Sequence, residues 1–292
     1  MANLLRTVLL GGLVWVLTGC QAAMFSTFNA ITPSRGVEVR PDLVFDRAHD
    51  LRADVFLPRE RNAATPVVVF FYGGSWRNGS KSWYRFIGER LASHGLITVI
   101  PDYRQYPQVR FPVFIEDAAR AVVWARAEYA ANGRPLFVAG HSAGAHIAAL
   151  VATDGAYLKN AGGSIDQLAG MVGYSGVYDF LPLTDDVLKA TFGGEQRLWD
   201  ASQPINHVDG DEPPFFLVHG RNDGIVWPRN SESLARALRS NGVPVNLLLR
   251  DKLGHYASAI NFARRDDDEI TQALLAFLRD PPPRGARTVH GG

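Results

Sequence analysis

The sequence has little of the residues that mark several common functions. It contains one cysteine in 292 residues, so neither an internal disulfide nor a Cys-x-x-Cys metal or redox motif can form. The formal net charge is +1 and neither sign forms a long block, which argues against a nucleic-acid-binding protein. No internal repeat or low-complexity tract occurs. Length and composition together indicate one globular domain around a single core.

The first twenty residues have the parts of a secretory signal. Arg6 is followed by an apolar run at 8–17 and then by small residues. The run is shorter than the roughly 20 residues of a membrane-spanning helix. Leu17-Thr18-Gly19-Cys20 resembles the bacterial lipoprotein signal, in which everything before the cysteine is removed and the cysteine is lipidated. In the alternative interpretation this is a plain signal peptide, and Cys20 is incidental.

The lipoprotein resemblance implies a location for the protein. Residues 1–19 are then a signal peptide, and acyl chains on Cys20 hold the mature chain at the bacterial cell envelope. The residue after the cysteine is Gln21 and not aspartate, which resembles lipoproteins sorted to the outer membrane. This predicts a position in the outer membrane, facing the periplasm. We expect a tether over 20–40, a folded domain over 41–279 and a disordered tail over 280–292.

Within the predicted domain, strand patterns alternate with helix patterns. Pro66–Phe71 is a continuous β-branched and aromatic run, which is typical of a strand buried on both faces. Similar short runs recur along the chain, with helical periodicity between most of them, and an antiparallel pair is predicted at Val37–Phe45 and Arg52–Phe56. The alternation predicts an α/β fold with a mostly parallel central sheet and helices on both faces. Functional residues then gather at the carboxyl ends of the strands.

Gly140-His141-Ser142-Ala143-Gly144 is a G-x-S-x-G sequence between a predicted strand and a predicted helix. In this context the tight turn exposes a serine hydroxyl above the sheet, and the glycines allow the backbone to pass closely. The pattern therefore predicts Ser142 as a nucleophile. The alternative is a turn whose serine only caps the helix. We expect His141 and His146 to have structural roles.

A glycine-rich loop supplies backbone donors that such a nucleophile needs. Tyr72-Gly73-Gly74-Ser75-Trp76 follows the buried strand, and we expect the amides of Gly73, Gly74 and Ala143 to form an oxyanion hole. Tyr72 departs from the usual pattern, which often has histidine there, but backbone amides do not depend on that side chain. A plain glycine turn is the alternative.

Asp223 and His255 complete a catalytic order. Asp223 follows the penultimate predicted strand and His255 follows the last, so Ser142, Asp223 and His255 have the Ser…Asp…His order of α/β-hydrolases. His255 is predicted to be the general base and Asp223 the acid that orients it. Asp179, after the preceding strand, is the rival acid. His219 is predicted to be structural, and no metal-ligand spacing appears.

With these motifs the sequence resembles the esterase branch of the α/β-hydrolases, particularly bacterial carboxylesterases similar to the hormone-sensitive-lipase and kynurenine-formamidase groups. The resemblance covers 52–278 and includes Pro101-Asp102-Tyr103-Arg104. It implies hydrolysis of a small-molecule carboxylic ester without a cofactor. Two alternatives stay open, which are an amidase, formamidase or peptidase with the same three residues, and a non-catalytic binding lipoprotein on this fold.

The resemblance leaves the substrate open, but two features indicate a pocket. The stretch 178–214 is longer than a simple crossover and is predicted to form a small cap, with Phe180, Leu181 and Leu183 facing inward. Four aromatic residues next to the predicted catalytic positions suggest an apolar substrate pocket. They are Tyr72, Trp76, Trp227 and Tyr256.

Overall fold

The computed structural model describes residues 24–32, 36–264 and 268–285. Its centre is one eight-stranded sheet, and the strand order across the sheet is β1-β2-β4-β3-β5-β6-β7-β8. In chain order the strands are β1 Val37–Asp46, β2 Leu51–Pro58, β3 Val67–Phe71, β4 Ile97–Pro101, β5 Leu136–His141, β6 Gly170–Tyr174, β7 Phe215–Gly220 and β8 Val245–Arg250.

In the described part of the sheet, antiparallel pairing is confined to the two neighbours of β2. β1 pairs with β2 and β2 pairs with β4 in antiparallel register. Every pairing from β4 through β3 to β8 is parallel. The antiparallel opening pair and the mostly parallel sheet are therefore both confirmed. Because the parallel strands end at the same edge, the loops after β3, β5, β7 and β8 meet there.

Helices connect the parallel strands, as the alternating pattern predicts. In chain order the described helices, including those before and after the sheet, are α1 over 24–31, α2 Arg85–Ser93, α3 Val113–Ala125, α4 Ala143–Thr153, α5 Gly155–Asn160, α6 Asp186–Phe192, α7 Gln196–Ala201, α8 Arg229–Ser240, α9 Ala257–Arg264 and α10 Glu269–Arg279. A short 3-10 turn, Lys81–Tyr84, leads into α2. No helix within the described ranges is long and apolar enough to cross a bilayer.

The core lies on both faces of the sheet. Every residue of β3, β4, β5, β6 and β7 is buried, as expected of strands covered by helices on each side. Helix α4 is buried along its whole length, because its apolar residues occupy every face rather than one stripe. It follows Ser142 directly, so the turn that carries Ser142 is supported from inside the core.

Two predicted boundaries are corrected by the structure. The tether predicted over 20–40 is too long, because residues 24–31 form α1, Phe25 is 3% exposed in the core, and β1 begins at Val37. The tail begins later than 280, because Arg284 donates to the carbonyls of Asp211 at 2.7 Å and Leu168 at 3.1 Å. The predicted signal peptide, Cys20, Gln21 and residues 286–292 lie outside the described residues.

Candidate active site

Ser142 occupies a strained turn between β5 and α4. Its backbone has φ 55° and ψ −122°, a left-handed conformation that is costly for a residue with a side chain. A Cβ atom at Gly144 would lie 2.0 Å from the carbonyl oxygen of Phe71, and one at Gly140 would lie 2.3 Å from Gly144. Both glycines are therefore required for the turn to fit between β3 and β5. The turn is the strand-to-helix elbow that the sequence predicts.

The imidazole of His255 lies between Ser142 and Asp223. Its Nε2 atom is 2.9 Å from the Ser142 hydroxyl, and its Nδ1 atom is 2.8 Å from Oδ2 of Asp223. The carboxylate can only accept, so Nδ1–H donates to it and the Nε2 lone pair faces the hydroxyl proton. The three residues come from the loops after β5, β7 and β8 and meet at one edge of the sheet.

The Asp223 carboxylate is held in its charged form by its surroundings. Oδ1 accepts the amides of Ile225 and Val226, each at 2.9 Å. Burial opposes its ionisation, but hydrogen bonds from His219, His255 and the Val226 amide outweigh burial and hold the pKa of Asp223 well below its usual range. Asp223 is therefore ionised at neutral pH and can stabilise a cationic His255.

His219 contacts Asp223, although the sequence predicts only a structural role for this histidine. Its Nε2 atom lies 3.3 Å from Oδ2 of Asp223 and 2.9 Å from the Val226 carbonyl, while Nδ1 lies 2.7 Å from the Ser231 hydroxyl. The side chain is fully buried. Its position four residues before Asp223, at the end of a strand, is the sequence feature that could have indicated this contact. His219 holds the carboxylate without reaching Ser142.

Asp179, the rival acid, has a different place. Its backbone amide donates to the Asn230 side chain at 2.9 Å, as does the amide of Tyr178. These bonds fix the start of the segment that was predicted to be a cap. The carboxylate that bonds the His255 ring is that of Asp223.

The glycine loop after β3 lies beside Ser142. Gly73 and Gly74 line the same cavity as Ser142. Ala143 lines a second cavity that also contains Ser142. Gly74 has φ 140°, and a Cβ atom there would lie 1.8 Å from the Asn78 carbonyl oxygen. The amides of Gly73, Gly74 and Ala143 therefore stay the candidate oxyanion donors.

His141 joins the glycine loop to the loop of His255. Its Nδ1 atom lies 2.9 Å from the Tyr84 hydroxyl, and its Nε2 atom lies 3.0 Å from the backbone carbonyl of His255. Burial lowers the pKa of His141 to about 3, with a smaller effect of His255. The ring is therefore neutral, donates from Nε2 to the carbonyl and accepts the Tyr84 proton at Nδ1. The predicted structural residue thus links two functional loops.

His146 supports the opposite side of the site. Its Nδ1 atom accepts from the indole of Trp76 at 3.0 Å, and its Nε2 atom donates to the Ser202 carbonyl at 2.8 Å. Burial lowers the pKa of His146 to about 3, so this ring is also neutral. It therefore fixes Trp76 against the segment that follows β6, in the structural role that the sequence analysis predicts.

Two cavities have Ser142 in their walls. The larger has a volume of about 430 Å³ and is lined mainly by apolar side chains, including Trp76, Phe180 and Leu183. The smaller has a volume of about 100 Å³ and is lined by His255 and Tyr256 among others. Ser142, Ser75 and Ile225 line both. The segment predicted to be a cap supplies one wall of the larger cavity.

The predicted pocket residues separate into two groups. Trp76 and Trp227 line the larger cavity, and Tyr256 lines the smaller. Tyr72 lines neither, and its assignment to the pocket is wrong, because its ring is buried and stacks on Tyr103 at 4.5 Å. Its hydroxyl accepts from Gln105 at 3.0 Å.

In the segment predicted to be a cap, Phe180 and Leu183 line the larger cavity, as predicted. Leu181 packs against the core instead, and Pro182 takes its place in the cavity wall. Across the described part of the chain, no group of three or more His, Cys, Asp and Glu residues is placed to hold a metal ion.

The chain is similar to known proteins over most of its length. The family described as BD-FAE matches residues 53–238. A probable isoprenylcysteine alpha-carbonyl methylesterase of Oryza sativa subsp. japonica is 32% identical over 257 residues, which is 80% of this chain and 60% of that protein. Esterase LipQ of Mycobacterium tuberculosis is 30% identical over 61% of this chain and 46% of its own length. This chain therefore spans about half to three fifths of the length of these relatives.

Solved structures share the fold. Esterase B from Lactobacillus Rhamnosis superposes with a TM-score of 0.76 at 24% identity, covering 96% of this chain and 95% of that one. A truncated carbohydrate esterase from gut microbiota gives 0.71 at 18% identity, covering 85% of this chain and 98% of that one. The fold is accordingly that of the α/β-hydrolases, and the chain belongs to the BD-FAE family.

Proposed function

We propose that this protein hydrolyses carboxylic esters through an acyl-enzyme intermediate on Ser142. The observation that supports this most strongly is the continuous hydrogen-bonded path from the Ser142 hydroxyl through both nitrogens of His255 to Asp223. The names of the relatives support the same reaction class, because those above are esterases. The substrate in this proposal is a small-molecule ester.

The reaction proceeds in two halves. In the first, the Nε2 atom of His255 takes the hydroxyl proton while Ser142 Oγ bonds to the carbonyl carbon of the ester. Asp223 stabilises the imidazolium that results. His255 then gives the proton to the alcohol oxygen as its bond to carbon breaks. In the second half, water attacks the acyl-enzyme in the same way and releases the acid.

Negative charge on the carbonyl oxygen is stabilised by fixed backbone donors. The amide of Ala143 lies at the first turn of α4, where the helix dipole favours an anion. The amide of Gly73 or of Gly74 is the second donor in this proposal. Such donors contribute about 3 kcal/mol each to stabilising the transition state. Their backbone origin explains why Tyr72 can replace the more usual histidine.

A substrate panel tests the proposed reaction. Purified protein is given p-nitrophenyl esters of several chain lengths, N-formylkynurenine and short peptides, and the rates are compared with those of Ser142→Ala. We expect ester hydrolysis that the substitution abolishes. Cleavage of the formamide or the peptides in preference to every ester would replace the proposal with an amidase. Binding of an ester without turnover, unchanged in Ser142→Ala, would instead favour a non-catalytic binding protein.

We also propose that Cys20 carries a lipid anchor and holds the mature chain at the cell envelope. The proposal depends on the sequence pattern at 17–20 alone. It predicts that the chain produced in a Gram-negative host fractionates with membranes and that Cys20→Ala moves it to the soluble periplasmic fraction. Intact-mass measurement of the detergent-extracted protein distinguishes an acylated cysteine from a chain cleaved without lipidation.

A further inference from the structure

Helix α1 packs against the N-terminus of α2, and one of its side chains lines the cavity that contains Ser142 and His255. Asn29 fixes it to the N-terminus of α2, because its side chain donates to the Ser82 carbonyl at 2.8 Å and accepts the Phe86 amide at 2.9 Å. Phe25 lies one turn earlier on α1 and is 3% exposed. The helix is thus held by both polar and apolar contacts.

Phe25 forms part of the wall of the smaller cavity. Its ring lies 4.8 Å from that of Tyr84, 5.7 Å from Trp83 and 6.1 Å from Tyr256, measured between centroids. All four side chains line this cavity, together with the catalytic candidates Ser142 and His255. A side chain from the segment before the sheet therefore limits the space next to the base.

The two cavities differ in which reacting groups they contain. His255 lines the smaller cavity, whereas Ala143 and the cap residues line the larger. The leaving oxygen of an ester must lie near Nε2 of His255 to receive its proton. The alcohol part of the substrate therefore enters the smaller cavity, and the acyl part is directed to the larger one.

The volumes of the two cavities then indicate the sizes of the acyl and alcohol parts of the ester. About 100 Å³ is the space of roughly three water molecules, whereas about 430 Å³ lined by Trp76, Phe180, Leu183 and Leu188 holds an extended apolar group. We infer that the enzyme prefers esters that join a larger apolar acyl group to a small alcohol, and that Phe25 of α1 sets the limit on the alcohol. This inference rests on the proposed ester hydrolysis.

Two isomeric esters test it. Methyl octanoate and heptyl acetate have the same composition but exchange the sizes of the acyl and alcohol parts. We expect kcat/KM to be at least about tenfold higher for methyl octanoate, because several methylene groups of heptanol do not fit the smaller cavity. Phe25→Ala should raise kcat/KM for heptyl acetate relative to methyl octanoate by about tenfold, since it removes the aromatic wall. Phe25→Leu should give a smaller change in the same direction.

Phe28→Ala is the matched control. Phe28 lies on the same helix and packs on Phe86 at 6.0 Å, outside both cavities, so its removal should leave the ratio of the two esters unchanged. Turnover of neither ester, nor of any p-nitrophenyl ester, would refute the proposed function itself. Turnover with equal rates or a preference for heptyl acetate would refute the inference alone. An unchanged ratio in folded Phe25→Leu would remove Phe25 from the account.

Discussion

The loops that carry Ser142, Asp223 and His255 differ from the cavity walls in how they are held. In the loops, each functional atom has a hydrogen-bond partner at 2.8 to 2.9 Å, and the Ser142 backbone is in a strained conformation. The walls, formed by the predicted cap segment and α1, contact the cavities mainly through apolar side chains such as Leu183 and Phe25.

Activity should therefore respond differently to substitutions in the loops and in the walls. A hydrogen bond depends steeply on distance and angle, so removing one atom in the loops disables the reaction. Apolar packing depends on area and volume, so a change in the walls shifts substrate preference by degrees. Substitutions in the two regions should therefore give effects of different size and kind.

The largest effect is expected at the base. His255→Gln should lower kcat for ester hydrolysis by about 10⁵-fold or more, because no group remains to take the Ser142 proton. Steady-state rates with a p-nitrophenyl ester measure this, and circular dichroism checks the fold. His49→Gln, at a histidine whose side chain is 37% exposed, is the control and should retain full activity. An active His255→Gln enzyme would show that the hydrogen bonds of the loops are not needed for the reaction.

Asp223→Asn should have the next largest effect. The amide nitrogen can donate to Nδ1 of His255, which would turn the imidazole to the wrong tautomer and lower kcat by about 10⁴-fold. Asp179→Asn is the matched control, since its carboxylate does not hold the ring, and it should change kcat by less than about threefold. Equal losses in both variants would show that the acid has been misassigned.

The neutral buried histidines predict how stability depends on pH. Burial lowers the pKa of His146 and of His141 to about 3 in the folded protein, whereas each has a pKa near 6.5 when unfolded. The unfolded state therefore binds more protons between pH 6.5 and 3, and stability falls as the pH decreases through that window by up to about 1.4 kcal/mol per pH unit for each ring.

Urea unfolding at a series of pH values measures this slope. His146→Gln keeps a donor and an acceptor for Ser202 and Trp76 but removes the titrating group, so its stability should depend less on pH than that of the wild-type protein. Identical slopes in the two proteins would show that His146 does not stay neutral in the folded state.

The smallest effect is expected in the walls. Leu183→Ala removes apolar contact area from the larger cavity, and we expect KM for a long-chain ester to rise by about tenfold with kcat nearly unchanged. The same variant should alter the hydrolysis of an acetate ester by less than about twofold, because the acetyl group does not reach that wall. A large fall in kcat for both esters would mean that the cap also orients the loops.

The catalytic loops could be predicted because their signals are local or depend on chain order. Ser142 is identified by glycines on each side, between a strand and a helix, and the steric need for Gly144 follows from the close approach of β3. Asp223 and His255 follow from their places after the penultimate and last strands. These features do not depend on side-chain directions elsewhere in the fold.

The wrong predictions concern residues whose positions depend on contacts with distant parts of the chain. Tyr72 follows the strand end, but its ring turns into the core onto Tyr103, a contact 31 positions away in the chain. Helix α1 has only two turns, so its pattern of Met24, Phe25 and Phe28 is too short to stand out, and its burial depends on distant aromatic residues.

Covalent labelling is the most direct test of whether Ser142 is the nucleophile. The folded wild-type protein is treated with a fluorophosphonate probe, and the intact mass and the modified peptide are measured beside Ser142→Ala and Ser75→Ala. Ser75 lines both cavities next to Ser142 and shares its left-handed backbone, so it is the matched serine. We predict one adduct per chain on Ser142 in the wild-type protein and in Ser75→Ala, and none in Ser142→Ala. Labelling that persists in Ser142→Ala, or is absent from the folded wild-type protein, would contradict the account.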